Sequence, residues 1–178
     1  ANMTIPGCLV ANNGWWGLAF EDMPLPAASV TATVQNNGTD TGVTAGGVLV
    51  RNSAVFLRES RSLRNRGPGI RVDSMSSGGS TPALELRNME VDGNSGDGLE
   101  ALAGTITLSN ANGVTTFTNN GGSGIRMAGA TNFLAPMATL VSLERNAGDG
   151  LRIDRAVAAV VGLGGFRIRE NTGAGVRL

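Results

Sequence analysis

The chain has 178 residues, of which 27 are glycine, seven are aromatic and 41% are hydrophobic, so it is neither collagen-like nor intrinsically disordered. Its fourteen basic residues, all arginine, balance fourteen acidic ones, and this zero net charge gives no electrostatic basis for binding nucleic acid or an anionic membrane. No apolar run is long enough for membrane insertion, the single Cys8 excludes an internal disulfide, and the absence of histidine removes the commonest metal ligand and general base.

One motif recurs along the chain: an asparagine, three residues, a glycine, then two apolar residues separated by one other residue. The asparagines are Asn13, Asn37, Asn65, Asn94, Asn120, Asn146 and Asn171. The paired glycines are Gly17, Gly42, Gly69, Gly98, Gly124, Gly150 and Gly175, and the copy ending at Gly42 is one residue longer than the others. Because successive glycines are separated by nearly constant intervals of about 26 residues, the motif indicates an internal repeat.

The segment before each asparagine alternates between apolar and polar residues, as in Val141, Ser142 and Leu143. A period of two predicts a strand with one buried face and one exposed face. The third copy places Ser60 and Ser62 at the expected inward positions. We therefore predict a bulge or a shifted register near Arg61–Leu63.

Each repeat also contains two further strand patterns. The second strand follows the glycine, and the third lies between successive motifs, as at 83–87, 104–109 and 156–162. No segment has a helical period with capping residues. The pattern predicts an all-β parallel solenoid over residues 1–178, a single domain of about seven coils of roughly 26 residues. Each coil holds three short strands, and six steps of about 4.8 Å give a rod of roughly 29 Å.

The asparagine and glycine of each turn have a physical role in such a stack. Glycine permits close approach of neighbouring backbones, and asparagine can both donate and accept hydrogen bonds. We predict that the seven asparagines form a hydrogen-bonded ladder between coils. Isolated, exposed Asn-Gly turns are the simpler alternative.

With this repeat, the chain resembles the right-handed parallel β-helix superfamily, the pectate-lyase-like fold built from short β-helix repeats. The resemblance implies a right-handed solenoid, consistent with the handedness of parallel crossovers. It implies no single activity, because the fold carries lyases, hydrolases, epimerases, tailspikes, adhesins and structural proteins. The segment 117–120 and the segment beginning at Gly173 are also similar to the FxxN and GGAI repeats of polymorphic outer-membrane adhesins.

The outward position after each turn is predicted to form a column along one sheet. Its members are Ala19, Thr44, Arg71, Glu100, Arg126, Arg152 and Arg177. These arginines could bind the carboxylates of an acidic polysaccharide. Alternatively, they form a solvent-exposed ladder of ion pairs with nearby acids. Trp15 and Trp16, adjacent in the first turn, are candidates for sugar stacking or partner contact, or for packing at the N-terminal coil.

The resemblance also allows known catalytic sites to be compared with this sequence. Sites that need histidine or lysine are excluded, because the chain has neither. A Ca²⁺-assisted lyase with an arginine base remains conceivable, but Asp73 and Asp154 lie three coils apart and cannot share an ion. We assign no catalytic residue and no metal site, and we expect no cofactor, with Ca²⁺ relevant only to a lyase-like activity.

The predicted repeat is interrupted at both ends of the sequence, at Ala1 and at Leu178. We expect either a segment of a longer solenoid or end-to-end self-association, because an uncapped solenoid exposes its last coil. The leading functional interpretation is a non-enzymatic structural or adhesion module, a rigid spacer or filament former, that is extracellular or at the cell surface. The alternative is a carbohydrate-active or polysaccharide-binding β-helix, lyase-like or tailspike-like. Neither interpretation involves nucleic acid or membrane insertion.

Overall fold

The computed structural model describes residues 3–23, 28–40, 44–74, 81–110, 113–129, 131–136, 139–155, 159–161 and 165–178. Within these ranges the chain forms nineteen β-strands and no helix, so no described helix could cross a membrane. The strands are β1 (Thr4–Ala11), β2 (Leu18–Glu21), β3 (Ala28–Gln35), β4 (Val48–Arg51), β5 (Ala54–Arg58), β6 (Arg61–Leu63), β7 (Ile70–Asp73), β8 (Ala83–Arg87), β9 (Glu90–Asp92), β10 (Leu99–Ala101), β11 (Gly104–Leu108), β12 (Val114–Thr118), β13 (Ile125–Ala128), β14 (Thr131–Leu134), β15 (Leu140–Glu144), β16 (Leu151–Arg155), β17 (Ala159–Val161), β18 (Phe166–Arg169) and β19 (Val176–Arg177).

Each strand pairs in parallel with its counterpart in the next coil. One sheet has seven strands in the order β19-β16-β13-β10-β7-β4-β2, and we call it the turn sheet because its strands follow the Asn-Gly turns. The other sheet bends at β3 into two faces, β17-β14-β11-β8-β5-β3 and β3-β6-β9-β12-β15-β18, with β1 also paired to β3. The predicted all-β parallel solenoid with three strands per coil is thereby confirmed, with about six turns.

The interior is filled by the side chains at every second position of the strands. β3 alternates strictly between buried and half-buried residues, as the period of two predicts. Phe117, Phe133 and Leu84 are among the largest fully buried side chains, and the rings of Phe133 and Phe166 meet edge to face at 6.1 Å between centroids. The core is therefore an axial stack of matching side chains contributed by successive coils.

The second turn departs from the predicted motif. Val48 pairs with both Leu18 and Ile70, so Gly47 holds the position equivalent to Gly17 and Gly69. The predicted Gly42 lies outside the described residues. The segment from Asn37 to Gly47 is six residues longer than the equivalent segment of the other turns. The apolar pattern after Gly42 therefore predicted the start of β4 five residues too early.

The register shift predicted near Arg61–Leu63 is present, and it lies immediately before Arg61. β6 itself runs in unbroken register with β3 and β9, and the extra residue lies just before it: the two residues between Val30 and Thr33 oppose the three residues between Leu57 and Arg61. Glu59, between β5 and β6, has a φ of 48° and makes this corner.

Two buried serines lie beside this corner and make hydrogen bonds to the backbone. The Oγ of Ser60 accepts from the N–H of Ala32 at 2.9 Å, and the Oγ of Ser62 donates to the carbonyl of Gly69 at 2.8 Å. The polar residues at inward positions therefore satisfy the backbone without a bulge in β6.

Candidate functional site

The asparagine ladder runs through the turns of all the described coils. Each of the first six ladder asparagines donates from both its backbone N–H and its Nδ2 to the Oδ1 of the next one, at 2.8–3.1 Å. From Asn37 onward, the Nδ2 also donates to a strand carbonyl of the preceding coil, as from Asn94 to Ser62 at 3.0 Å. The predicted hydrogen-bonded ladder is present, and its central members are fully buried.

A second column stands immediately before the ladder and was missed by the sequence analysis. The residue preceding each ladder asparagine has a φ between 50° and 66°. The column consists of Asn12, Asn36, Arg64, Gly93, Asn119, Arg145 and Glu170. The doubled asparagines at 12–13, 36–37 and 119–120 were the available signal, because asparagine tolerates left-handed backbone better than most residues.

The outward column of the turn sheet brings together most of the predicted ligand-binding residues. Its register runs from Ala19 through Leu49 to Arg71 and then to the four members listed next. They are Glu100, Arg126, Arg152 and Arg177. Leu49, and not the predicted Thr44, occupies the second place, because the strand of that coil starts after Gly47.

The charges of this sheet form a continuous chain of ion pairs. Glu100 lies between Arg71 and Arg126, with N···O distances of 3.0 and 3.4 Å. Arg126 also contacts Asp154 at 2.8 Å, and Asp154 contacts Arg152 in turn.

Ion pairs continue beyond this central group in both directions along the column. Towards the first coil, Arg51 pairs with Glu21 at 3.1 Å and with Asp73 at 3.6 Å. At the last coil, Arg177 binds the carboxylate of Asp149 through two nitrogens, at 2.8 and 3.2 Å. The stacked arginines are thus each beside an acid, and several of those acids were recognised from sequence only as neighbours.

Burial and pairing move the pKa values of these acids in opposite directions. Burial is the main cause that raises the pKa of Glu100 above its ordinary value, even though Arg71 and Arg126 oppose it. Burial also acts to raise the pKa of Asp149, but hydrogen bonds from Arg177 and from the N–H of Ala174 outweigh it and lower that pKa. The sheet thus contains both a carboxylate whose charge is disfavoured and one whose charge is firmly held.

A cleft of about 280 Å³ lies at the first coils of the turn sheet. It is lined by Trp15, Trp16, Thr44, Leu49, Arg51 and Arg71. Trp15 is 59% exposed, and its Nε1 donates to the carbonyl of Thr44 at 3.2 Å. The Trp16 ring is half-buried and lies over Gly46, where a β-carbon would come within 2.9 Å of its Cζ3.

These two tryptophans thus differ in their surroundings. Trp16 packs against the backbone of the next coil, while Trp15 presents most of its ring to solvent. Leu49 is only 1% exposed although it points outward, so the cleft has an apolar floor outside the solenoid core. Of the predicted arginines only Arg71 lines this cleft, while Arg126, Arg152 and Arg177 lie in later coils.

No metal centre stands out among the described residues, where no group of three or more histidine, cysteine, aspartate or glutamate side chains converges. Comparison with known proteins adds no functional assignment. No protein family, curated protein or solved structure matches this chain.

Proposed function

We propose that the chain is a structural β-solenoid module, a rigid extracellular or cell-surface spacer that serves in adhesion or filament assembly. The observation that carries this proposal is the continuous chain of ion pairs on the turn sheet. A catalytic or anion-binding arginine needs a free face, whereas Arg71 and Arg126 each have two or more acids within 4 Å. These ion pairs connect one coil to the next.

An activity assay tests this structural role. The chain is incubated with polygalacturonate and with alginate, with and without Ca²⁺, and unsaturated product is followed by ultraviolet absorbance. We expect no product from the parent chain, and we expect Arg126→Ala to lower the melting temperature because it removes contacts to Asp154 and Glu100. Product that forms with the parent chain and disappears in Arg126→Ala and Arg152→Ala would contradict the structural role.

A second candidate function, polysaccharide binding, is favoured by the cleft at Trp15. An exposed indole with a fixed orientation is a common platform for sugar rings and for partner proteins. The cleft lies on the outer surface of the stack, so a rod-like module could carry it without any change in the core. The two candidates are compatible, because an adhesion module requires a binding surface.

The repeat also supports membership of the right-handed pectate-lyase-like superfamily and end-to-end association. In support of the latter, each described coil joins the next by the same ladder bonds, which a further coil of this chain or of a second copy can continue. Sedimentation over a range of concentrations tests association, and a single monomeric species throughout would contradict self-association of the isolated chain. An experimental structure would test the handedness.

A further inference from the structure

We infer that the cleft at Trp15 is a binding site for a neutral glycan whose pyranose rings carry equatorial hydroxyl groups, such as a β-linked glucose chain. This inference rests on the second proposed function and specifies its ligand. Three observations carry it: the fixed and exposed indole, the internal pairing of the cleft's charges, and the size of the cleft.

The indole of Trp15 is presented to solvent in a defined orientation. Its Nε1 hydrogen bond to the carbonyl of Thr44 fixes the ring, so that little side-chain entropy is lost when a ligand stacks on it. A pyranose with equatorial hydroxyls has a flat face of C–H groups, which packs on the apolar indole face. Leu49 lies beneath the cleft and is only 1% exposed, so the exposed apolar contact is made by the indole of Trp15.

The charges of the cleft argue against an anionic ligand. Arg71 contacts Asp73 at 3.4 Å and Glu100 at 3.0 Å, and Arg51 contacts Glu21 and Asp73. The five groups carry three negative and two positive charges, so a uronate carboxylate would compete with acids already in place. Sugar hydroxyls, in contrast, can accept hydrogen bonds from the two guanidinium groups that line the cleft without displacing the acids paired with them.

The volume of the cleft sets the scale of the ligand. At about 280 Å³ it lies just below the roughly 300–1,000 Å³ of pockets that enclose drug-sized molecules. This space suits one ring of a chain whose other rings extend along the surface. Affinity is then expected to be modest and to depend strongly on the single stacked ring.

Titration with cellohexaose, a neutral β-linked glucose hexamer, tests the inference. Because Trp15 and Trp16 are the only tryptophans and the chain has no tyrosine, its indole fluorescence reports this cleft directly. We expect a saturable change in emission, and calorimetry should show that Trp15→Ala weakens binding by about tenfold or more. Leu140→Ala, which removes a similarly exposed apolar side chain outside the cleft, is the matched control and should retain the parent affinity, and circular dichroism checks that both variants are folded.

A parallel titration with hexagalacturonate separates the failure of this inference from that of the proposed function. Saturable binding of the acidic hexamer alone, lost in Arg71→Ala, would overturn the neutral-glycan inference and leave polysaccharide binding standing. Binding of neither hexamer at millimolar concentration would overturn both. Binding of cellohexaose that Trp15→Ala leaves unchanged would also overturn the inference, because the ligand would lie elsewhere.

Discussion

At the scale of single residues, the turns combine two adjacent columns whose residues must meet different requirements. The ladder asparagines must donate and accept in a buried site, whereas the residues just before them need only tolerate a left-handed backbone. Asn12, Asn36, Gly93 and Asn119 are residue types that adopt a left-handed backbone readily. Arg64 and Arg145 adopt the same conformation, although arginine does not favour it. A left-handed conformation costs an ordinary residue about 1–2 kcal/mol, so these arginines are local weak points.

Relief of this strain gives a first prediction. Arg64→Asn should raise the free energy of unfolding by about 0.5–1 kcal/mol, because asparagine adopts the φ of 50° at lower cost. Denaturant titration measures the change. Arg66→Asn is the control, since Arg66 is an exposed arginine in the same turn without a left-handed φ. Equal effects of the two substitutions would show that backbone strain is not the cause.

The ladder gives a second prediction at this scale. Asn94 is 1% exposed. Without its side chain, the N–H of Asn65, the carbonyl of Ser62 and the Oδ1 of Asn120 would each lose one hydrogen bond. Asn94→Ala should lower the free energy of unfolding by about 3 kcal/mol or more.

The first rung of the ladder provides the matched comparison. Asn13 is exposed, and its side chain makes one ladder bond, to Asn37. Asn13→Ala should therefore cost about 1 kcal/mol or less. Similar losses at the two positions, measured by the same chemical denaturation, would contradict the view that the ladder matters because it is buried.

At the scale of the sheet, paired carboxylates set the response to acid. A carboxylate with a native pKa below its unfolded value stabilises the fold above the unfolded pKa, and that stabilisation is lost as the pH falls through the native pKa. Asp149 and Asp154 belong to this class, because hydrogen bonds from arginines and, for Asp149, from a backbone N–H outweigh the opposing effect of burial. Glu100 has the opposite sign: its raised pKa makes the fold more stable as the pH falls.

A third prediction follows for Asp149, which accepts two bonds from Arg177 and one from the N–H of Ala174. Asp149→Asn should lower the free energy of unfolding at pH 7 by about 1.5–3 kcal/mol. The difference from the parent chain should shrink as the pH falls below about 4, the ordinary pKa of aspartate. Urea titrations at pH 7, 4 and 3 measure this.

The exposed Glu170→Gln variant is the control, because it subtracts the general effect of removing one negative charge. A deficit in Asp149→Asn that stays constant across this pH range would show that the hydrogen-bond geometry, and not the ionisation of Asp149, accounts for the loss.

Much of the sheet architecture could be predicted from sequence, because a period of two and a 26-residue repeat leave few other folds. The stacking of Arg71, Glu100, Arg126, Arg152 and Arg177 followed from counting alone. The start of β4 could not be predicted, because its turn is longer than the others and Gly42 has nearly the spacing from Asn37 that the motif requires. The cleft was also beyond reach, because it depends on how Trp16 packs over Gly46 and where Thr44 places its carbonyl.

At the scale of the whole molecule, each coil contacts mainly its two neighbours, so stability should vary along the axis. Equivalent amides allow a matched measurement: the N–H groups of Leu18, Leu99, Ile125 and Leu151 each donate to the next coil at 3.0 Å. As a fourth prediction, hydrogen exchange should be slowest at Leu99 and Ile125 and faster at Leu18 and Leu151, because end coils open first in a stack of repeats. Equal protection at all four amides would instead indicate a single cooperative unit.

The uniform ladder register has a consequence for how such a molecule changes over generations. Because every described coil presents the same ladder bonds to the next, a gene duplication of one 26-residue unit would insert without altering the ladder. The rod would lengthen by about 4.8 Å, and the asparagine ladder would continue through the added coil. Length is therefore a trait that can evolve in discrete steps, independently of the Trp15 cleft.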